Sequence, residues 1–212
     1  MLELFKEKTG SLRKQIVFSV ARTLSPSLYD VLLDNDGFVG HVPRPFTLML
    51  QKEFKGKALS GVEIGFGAGE NAASILELLN IKKLFCVDPF IGKQYSEGGK
   101  VLGNYAGLTS QYLRLKEMGN VEFVELTSDE ACKTLPNHLD FVYIDGVHTH
   151  EQVFSDLQNY YSLLGIDGFV GGHDFQRGCP RVIDAVFDFA VALRKTPVIS
   201  MPDFWFSAGT PK

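Results

Sequence analysis

The chain has 212 residues, a formal net charge of -4, 45% hydrophobic and 22% charged residues. That size predicts one domain with a good core plus a short extension, and the mildly acidic balance offers no electrostatic footprint for nucleic acid. No apolar run reaches membrane-spanning length, and the N-terminus carries no signal-peptide pattern. Cys86, Cys132 and Cys179 form neither a disulfide framework nor a C-x-x-C pair, which reads as reduced thiols in a cytoplasmic protein.

Leu4, Phe5, Leu12, Ile16, Val20 and Leu24 recur at helical spacing among charged residues. One or two amphipathic helices are expected there, suited to packing or to a homo-oligomer contact. Residues 1–57 read as a helical extension and 58–212 as the main domain. The glycine- and proline-containing stretch 37–45 reads as a loop that could bring His41 and Arg44 to a pocket but more readily leaves them on the surface, followed by a helix over 46–54. Residues 58–64 form an apolar run with Glu63 near its end, then a glycine-rich turn, then a helix over 72–79. Gly65, Gly67 and Gly69 suit a sharp strand-to-helix turn whose backbone approaches a ligand closely.

A second strand over 83–88 ends in Asp88. It stands about 20 residues past the last motif glycine, where doubly wound nucleotide folds place a carboxylate for ribose hydroxyls. Phe90 follows, placed to stack on a base. Residues 91–107 read as a glycine-rich lid loop before a helix over 108–118. A strand over 121–126 leads to Ser128 and Asp129, which fit both a helix cap and an adenine contact. A strand over 139–145 ends in Asp145-Gly146-Val147-His148, and a helix over 151–163 follows. A turn over 165–168 then gives a fifth strand, 169–172, ending in His173-Asp174. A helix over 180–193 and a strand pair, 197–200 and 203–207, complete the chain. This alternation predicts a doubly wound α/β fold with a mostly parallel seven-stranded sheet and an antiparallel final strand.

The turn reads Glu63-x-Gly65-x-Gly67-x-Gly69, with Glu70 where a dinucleotide fingerprint puts its third glycine. A carboxylate there opposes a diphosphate at the helix start. The pattern resembles motif I of the class I S-adenosylmethionine-dependent methyltransferases, whose cofactor lacks phosphate and carries an ammonium. With Val87-Asp88-Pro89-Phe90, Tyr143-Ile144-Asp145-Gly146-Val147-His148, residues 165–174 and Arg181-Val182-Ile183-Asp184-Ala185-Val186, the chain is similar to the small-molecule branch. That branch includes the catechol, macrocin and sugar O-methyltransferases. The resemblance implies S-adenosylmethionine on Glu63, Gly65, Gly67, Gly69, Asp88, Phe90, Ser128 and Asp129, and a hydroxyl-bearing small molecule as acceptor. It also implies a divalent metal on Asp145, His173 and Asp174, where metal-dependent members hold Mg²⁺; the histidine suits a softer transition metal better.

Glu63, Asp88, Asp145 and Asp174 all fall at or near strand ends, so a cation is expected to offset their mutual repulsion. His148 is the candidate general base because it titrates near neutral pH, with Asp145 orienting it or holding the metal. His138 and His150 carry no expected role. Two other readings stand beside methyl transfer: a nucleotide-dependent oxidoreductase, opposed by Glu70, and a non-catalytic cofactor-binding or assembly module, favoured by His173 in place of a carboxylate.

Overall fold

The computed structural model describes residues 43–67, 69–89, 95–97, 100–103 and 108–209. The predicted N-terminal helices, His41 and Phe90 lie outside them. The first described element, α1 (Pro45–Phe54), starts on a proline, which fits the first turn because its missing N–H would lack a helical partner anyway. Next come β1 (Leu59–Ile64), α2 (Glu70–Leu78) and β2 (Ile81–Val87). A short antiparallel pair, β3 (Tyr95–Glu97) with β4 (Lys100–Gly103), stands inside the span read as a lid loop, before α3 (Leu108–Glu117). The chain continues through β5 (Val121–Val124), α4 (Ser128–Ala131), β6 (Leu139–Ile144) and α5 (His150–Tyr161). It closes with β7 (Leu164–Gly172), α6 (Pro180–Leu193), β8 (Val198–Ser200) and β9 (Asp203–Ser207).

Seven strands make one sheet in the order β5-β2-β1-β6-β7-β9-β8, parallel except that β9 runs against both β7 and β8. The antiparallel final strand expected from the sequence is β9, which makes both antiparallel pairings. Strand parity divides the core. Val62, Ile64, Val142, Ile144 and Val170 face α5 and α6. Leu84, Cys86, Phe141, Tyr143 and Trp205 lie on the other side with Phe46 and Leu50 of α1 and Ile75 of α2. Thus α1, read as part of the extension, packs into the core.

Two local expectations change. Between β6 and β7 the register steps from Leu139–Leu164 to Phe141–Phe169, so residues 165–168 form an irregularity within β7 rather than a turn before it. Thr127, not Ser128, is the N-cap of α4. Its backbone N–H and hydroxyl both donate to Glu130, at 3.2 and 2.7 Å, completing a capping box. No helix among the described residues is long and apolar enough to cross a membrane.

Candidate active site

The chain winds outward from β1 to β2 and β5, then returns to place β6 on the other side of β1. The crevice between the carboxyl ends of β1 and β6 is therefore the switch point where such sheets bind ligands. The ladder carries on past the strand ends. Asp145 N–H donates to Ile64 C=O at 2.8 Å, His173 N–H to Ile144 C=O at 3.0 Å, and Asp88 N–H to Val124 C=O at 3.2 Å. Sheet register thus fixes the backbones of three predicted site residues.

A cavity of about 430 Å³ opens there, lined by Gly65, Gly67, Asp88, Pro89, Ser128, Asp129, Asp145, Gly146, Val147 and Gln152 among others. Its volume is that of a small-molecule site. Three of the lining residues are carboxylates, and none of the described ones is Lys or Arg. Gly65 has φ +86°, and a Cβ on it would lie 2.6 Å from Asp145 C and 2.9 Å from Gly146 Cα. Only glycine lets the turn pass so close to the end of β6. Gly67, at φ +51°, differs: among the described residues a Cβ there meets no atom within 4 Å. Gly69, at φ +75°, is the N-cap of α2 and is buried. Asp88 Oδ2 accepts from the N–H groups of Phe66 and Gly67 at 3.2 and 3.4 Å, tying the two turns together.

Glu63 does not line the cavity. It is 1% exposed, on the α1/α2 side of the sheet, where Asn71 Nδ2 donates to its Oε1 at 2.8 Å. Burial, only partly offset by that bond, pushes its carboxyl up to about 8, so Glu63 is neutral at pH 7. Glu63, expected among the cofactor-binding residues, thus stands behind the glycine turn rather than in the lining of this cavity. Helix α5 clamps the turn after β5 instead. Gln152 Nε2 donates to Ser128 Oγ at 3.1 Å, Tyr160 Oη to Ser128 C=O at 3.0 Å, and Ser155 Oγ to Asp129 Oδ1 at 3.1 Å. Gln152 also donates to Asp156, which burial pushes up to about 6.

The compensating cation expected among the acidic strand ends includes one supplied by the chain itself. Arg44 is 8% exposed, which corrects its reading as a surface residue. Its Nη2 lies 3.7 Å from Asp145 Oδ2, and its Nη1 bonds His173 Nε2. Asp203 holds Arg44 in place indirectly. Its carboxylate accepts from Phe46 N–H at 3.0 Å and from Tyr143 Oη at 3.1 Å, pinning the N-terminus of α1 to β9. Arg44 immediately precedes that anchored helix start.

Guanidinium only donates, so the His173 nitrogen facing it must accept, and the proton sits on Nδ1. That nitrogen lies 3.2 Å from Asp174 Oδ1 and 3.7 Å from Asp145 Oδ1. Asp174 has φ +60° and also accepts from Gln176 Nε2 at 2.7 Å. A non-glycine residue in that backbone region is held by its surroundings, here the bond from Phe175 N–H to Pro202 C=O at 2.9 Å. Burial pushes the Asp174 carboxyl up, but the bond from His173 and the two neighbouring imidazoles outweigh it and leave it lowered.

His148 completes the group. Its Nε2 lies 3.0 Å from Asp174 Oδ2 and 3.6 Å from Asp145 Oδ1. Asp145 contributes most to a rise in the imidazole pKa above 6.5, and the Asp174 charge adds to it against partial burial; the shorter contact is to Asp174. With Nε2–H directed to the carboxylates, Nδ1 is the nitrogen able to accept a proton. His150 is absorbed structurally, at 3.0 Å from Asp188 Oδ2 and stacked on Phe154.

Asp145, His173 and Asp174 do converge, with ligand atoms within 4.8 Å of one another. Their chemistry nevertheless does not fit a divalent cation. Both His173 nitrogens are engaged, and a guanidinium already stands at Asp145 and His173, so a metal would meet like charge. Sequence reasoning missed Asn71 and Gln152, and ranked surface exposure above a pocket role for Arg44. Of these, strand parity alone could have exposed the Glu63–Asn71 pair, since Glu63 alternates with the inward-facing Val62 and Ile64.

The strand order, the helices on both faces and the glycine turn at the switch point define the Rossmann-like fold of the class I methyltransferases. It is shared with the O-methyltransferase NovP at 17% identity, with 78% of each chain covered and a TM-score of 0.57. It is shared also with SMU.1697c of Streptococcus mutans, solved in complex with SAH, at 16% identity, with 78% of this chain and 97% of that one covered and a TM-score of 0.54. The family model described as a methyltransferase domain matches residues 62–175, more than half of the chain, and the protein belongs to that family. "Uncharacterized protein R132" of Acanthamoeba polyphaga mimivirus is 30% identical over 145 residues, which span 65% of this chain and 62% of that protein.

Proposed function

We propose that this protein is an S-adenosylmethionine-dependent methyltransferase that methylates a hydroxyl of a sugar or other small molecule. The observation that carries the reading is the cavity over the glycine turn, whose charged lining among the described residues is entirely acidic. Such a lining repels a diphosphate and attracts a cation. It supports a sulfonium cofactor over a dinucleotide and agrees with the family match. Gly67 adds to the fit, because the space a side chain would fill is open.

When bound, S-adenosylmethionine supplies a methyl group already activated on sulfur. The chain's part is to hold the reactants in line and to move one proton. Asp88 is positioned for ribose hydroxyls, Ser128 and Asp129 for adenine, and Asp145 for the cationic end. His148 Nδ1 takes the acceptor's hydroxyl proton as the methyl arrives, and Asp174 and Asp145 stabilise the resulting imidazolium. Arg44 holds Asp145 and His173 in place, and no step runs through a metal at Asp145, His173 and Asp174. The acidic net charge supports a small acceptor over nucleic acid.

The test is a panel of sugars, phenols and hydroxylated natural products, assayed for release of S-adenosylhomocysteine. At least one acceptor should turn over, and His148→Ala should lose turnover while keeping cofactor affinity. A fully active His148→Ala enzyme removes His148 as base. Cofactor binding with no turnover across the panel favours a non-catalytic module.

A further inference from the structure

Beside the Asp145–His173–Asp174 set closed by Arg44 lies a second convergence, which shares Asp174 with that set and His148 with the proposed base. His148, Asp174 and Cys179 each bring one ligand atom to within 4.8 Å of the others. His148 Nε2 and Asp174 Oδ2 are 3.0 Å apart. A tetrahedral zinc with bonds of roughly 2.0 Å to N and O separates such atoms by about 3.3 Å, so only a few tenths of an ångström of adjustment is needed on that edge. Cys179 precedes α6 as its N-cap residue but makes no side-chain capping bond; its thiol, pushed up by burial, instead pairs with Asp174 and Gln176, which draws it toward the other two donors. It is half-buried, and His148 has a side chain 43% exposed, so solvent reaches the group and can fill a fourth position. At Gly178, beside Cys179, a Cβ would meet no atom of the described residues within 4 Å.

The donor set matters as much as the distances. Imidazole, carboxylate and thiolate together suit zinc-class transition metals, and Mg²⁺ poorly. One thiolate and one carboxylate neutralise a divalent ion, the thiol proton being released on binding.

We propose that His148 Nε2, Asp174 Oδ2 and Cys179 Sγ form a three-ligand site for a zinc-class transition metal, separate from the Asp145–His173–Asp174 set. The site goes beyond methyl transfer and does not depend on it, but the two share His148. A metal on Nε2 leaves the remaining imidazole proton on Nδ1, so His148 holds the metal or accepts a proton, not both. The metal is therefore inhibitory to any base chemistry at His148.

Cobalt(II) titrated into the full chain, followed by the near-ultraviolet thiolate-to-cobalt charge-transfer band, tests this directly. One saturable band at one equivalent is expected, displaced by Zn²⁺. Cys179→Ser should abolish the band. His148→Ala should weaken metal affinity by more than the roughly 10- to 100-fold lost when only a ligand's supporting partner is removed. Cys132→Ser and Asp145→Asn should keep the band. Absence of a band at saturating cobalt, its survival in Cys179→Ser, or its loss in Asp145→Asn would each overturn the proposal. Because the readout needs neither cofactor nor acceptor, failure here leaves the methyl-transfer reading untouched, and the reverse also holds.

Discussion

Replacing Gly65 and Gly67 by alanine, one at a time, separates the two jobs of the glycine turn. At Gly65, φ is +86° and the new Cβ falls 2.6 Å from Asp145 C and 2.9 Å from Gly146 Cα, all backbone. Left-handed backbone costs an L-residue roughly 1–2 kcal/mol. Overpacking against atoms that cannot rotate away adds about 1–3 kcal/mol. Gly65→Ala should therefore lose about 2–5 kcal/mol, a large part of the roughly 5–15 kcal/mol that holds a domain together. At Gly67, φ is +51° with no neighbour among the described residues within 4 Å, so the backbone cost of roughly 1–2 kcal/mol is the one that applies. Its methyl group should instead occupy cofactor space and weaken S-adenosylhomocysteine binding by about tenfold or more, near 1.4 kcal/mol. Urea denaturation and calorimetric titration of both variants measure the two effects. Gly65→Ala as stable as wild type, or Gly67→Ala with undiminished affinity, would refute the reasoning.

Three further outcomes follow from the site. The pKa of His148 is raised above 6.5, so kcat/KM should climb with pH through a value above 6.5. Asp174→Asn should move that rise to lower pH in a pH–rate profile. Arg44→Met should destabilise the fold by about 2–4 kcal/mol in urea, the range for a broken buried pair reduced because the Asp145 side chain is 21% exposed. Glu63 has a carboxyl raised to about 8 from 4.5, so its neutral form favours the fold. The unfolded chain ionises first, so this contribution is complete below pH 4.5 and is lost as pH rises towards 8. Glu63→Gln should flatten that decline, measured as denaturation midpoints at pH 5 and pH 8.

Much of the fold was legible because it rests on local signals. The apolar strands, the glycine turn and Pro180 at the start of α6 announce themselves within a few residues of sequence, and the helix over 180–193 matches its prediction. Asp88, Asp145 and Asp174 were legible as strand-end acids because parallel sheets gather strand ends on one edge. What escaped was set by distant pairings. Arg44 meets His173 across 129 positions, through an anchor between Phe46 and Asp203 that no local pattern encodes. Residues 165–168 look like a turn because glycine and aspartate favour turns, yet pairing with β6 draws them into β7. Glu63 read as a cavity acid because it lies at a strand end; the side of the sheet it occupies decides otherwise.

Methyl transfer by this protein requires that the crevice between β1 and β6 accept a positively charged adenosine compound without phosphate. Side-by-side calorimetric titration of the wild-type chain with S-adenosylmethionine and with NAD tests it most directly. Saturable one-to-one binding of S-adenosylmethionine with no heat from NAD is the predicted result. Binding of NAD with none of S-adenosylmethionine would contradict it.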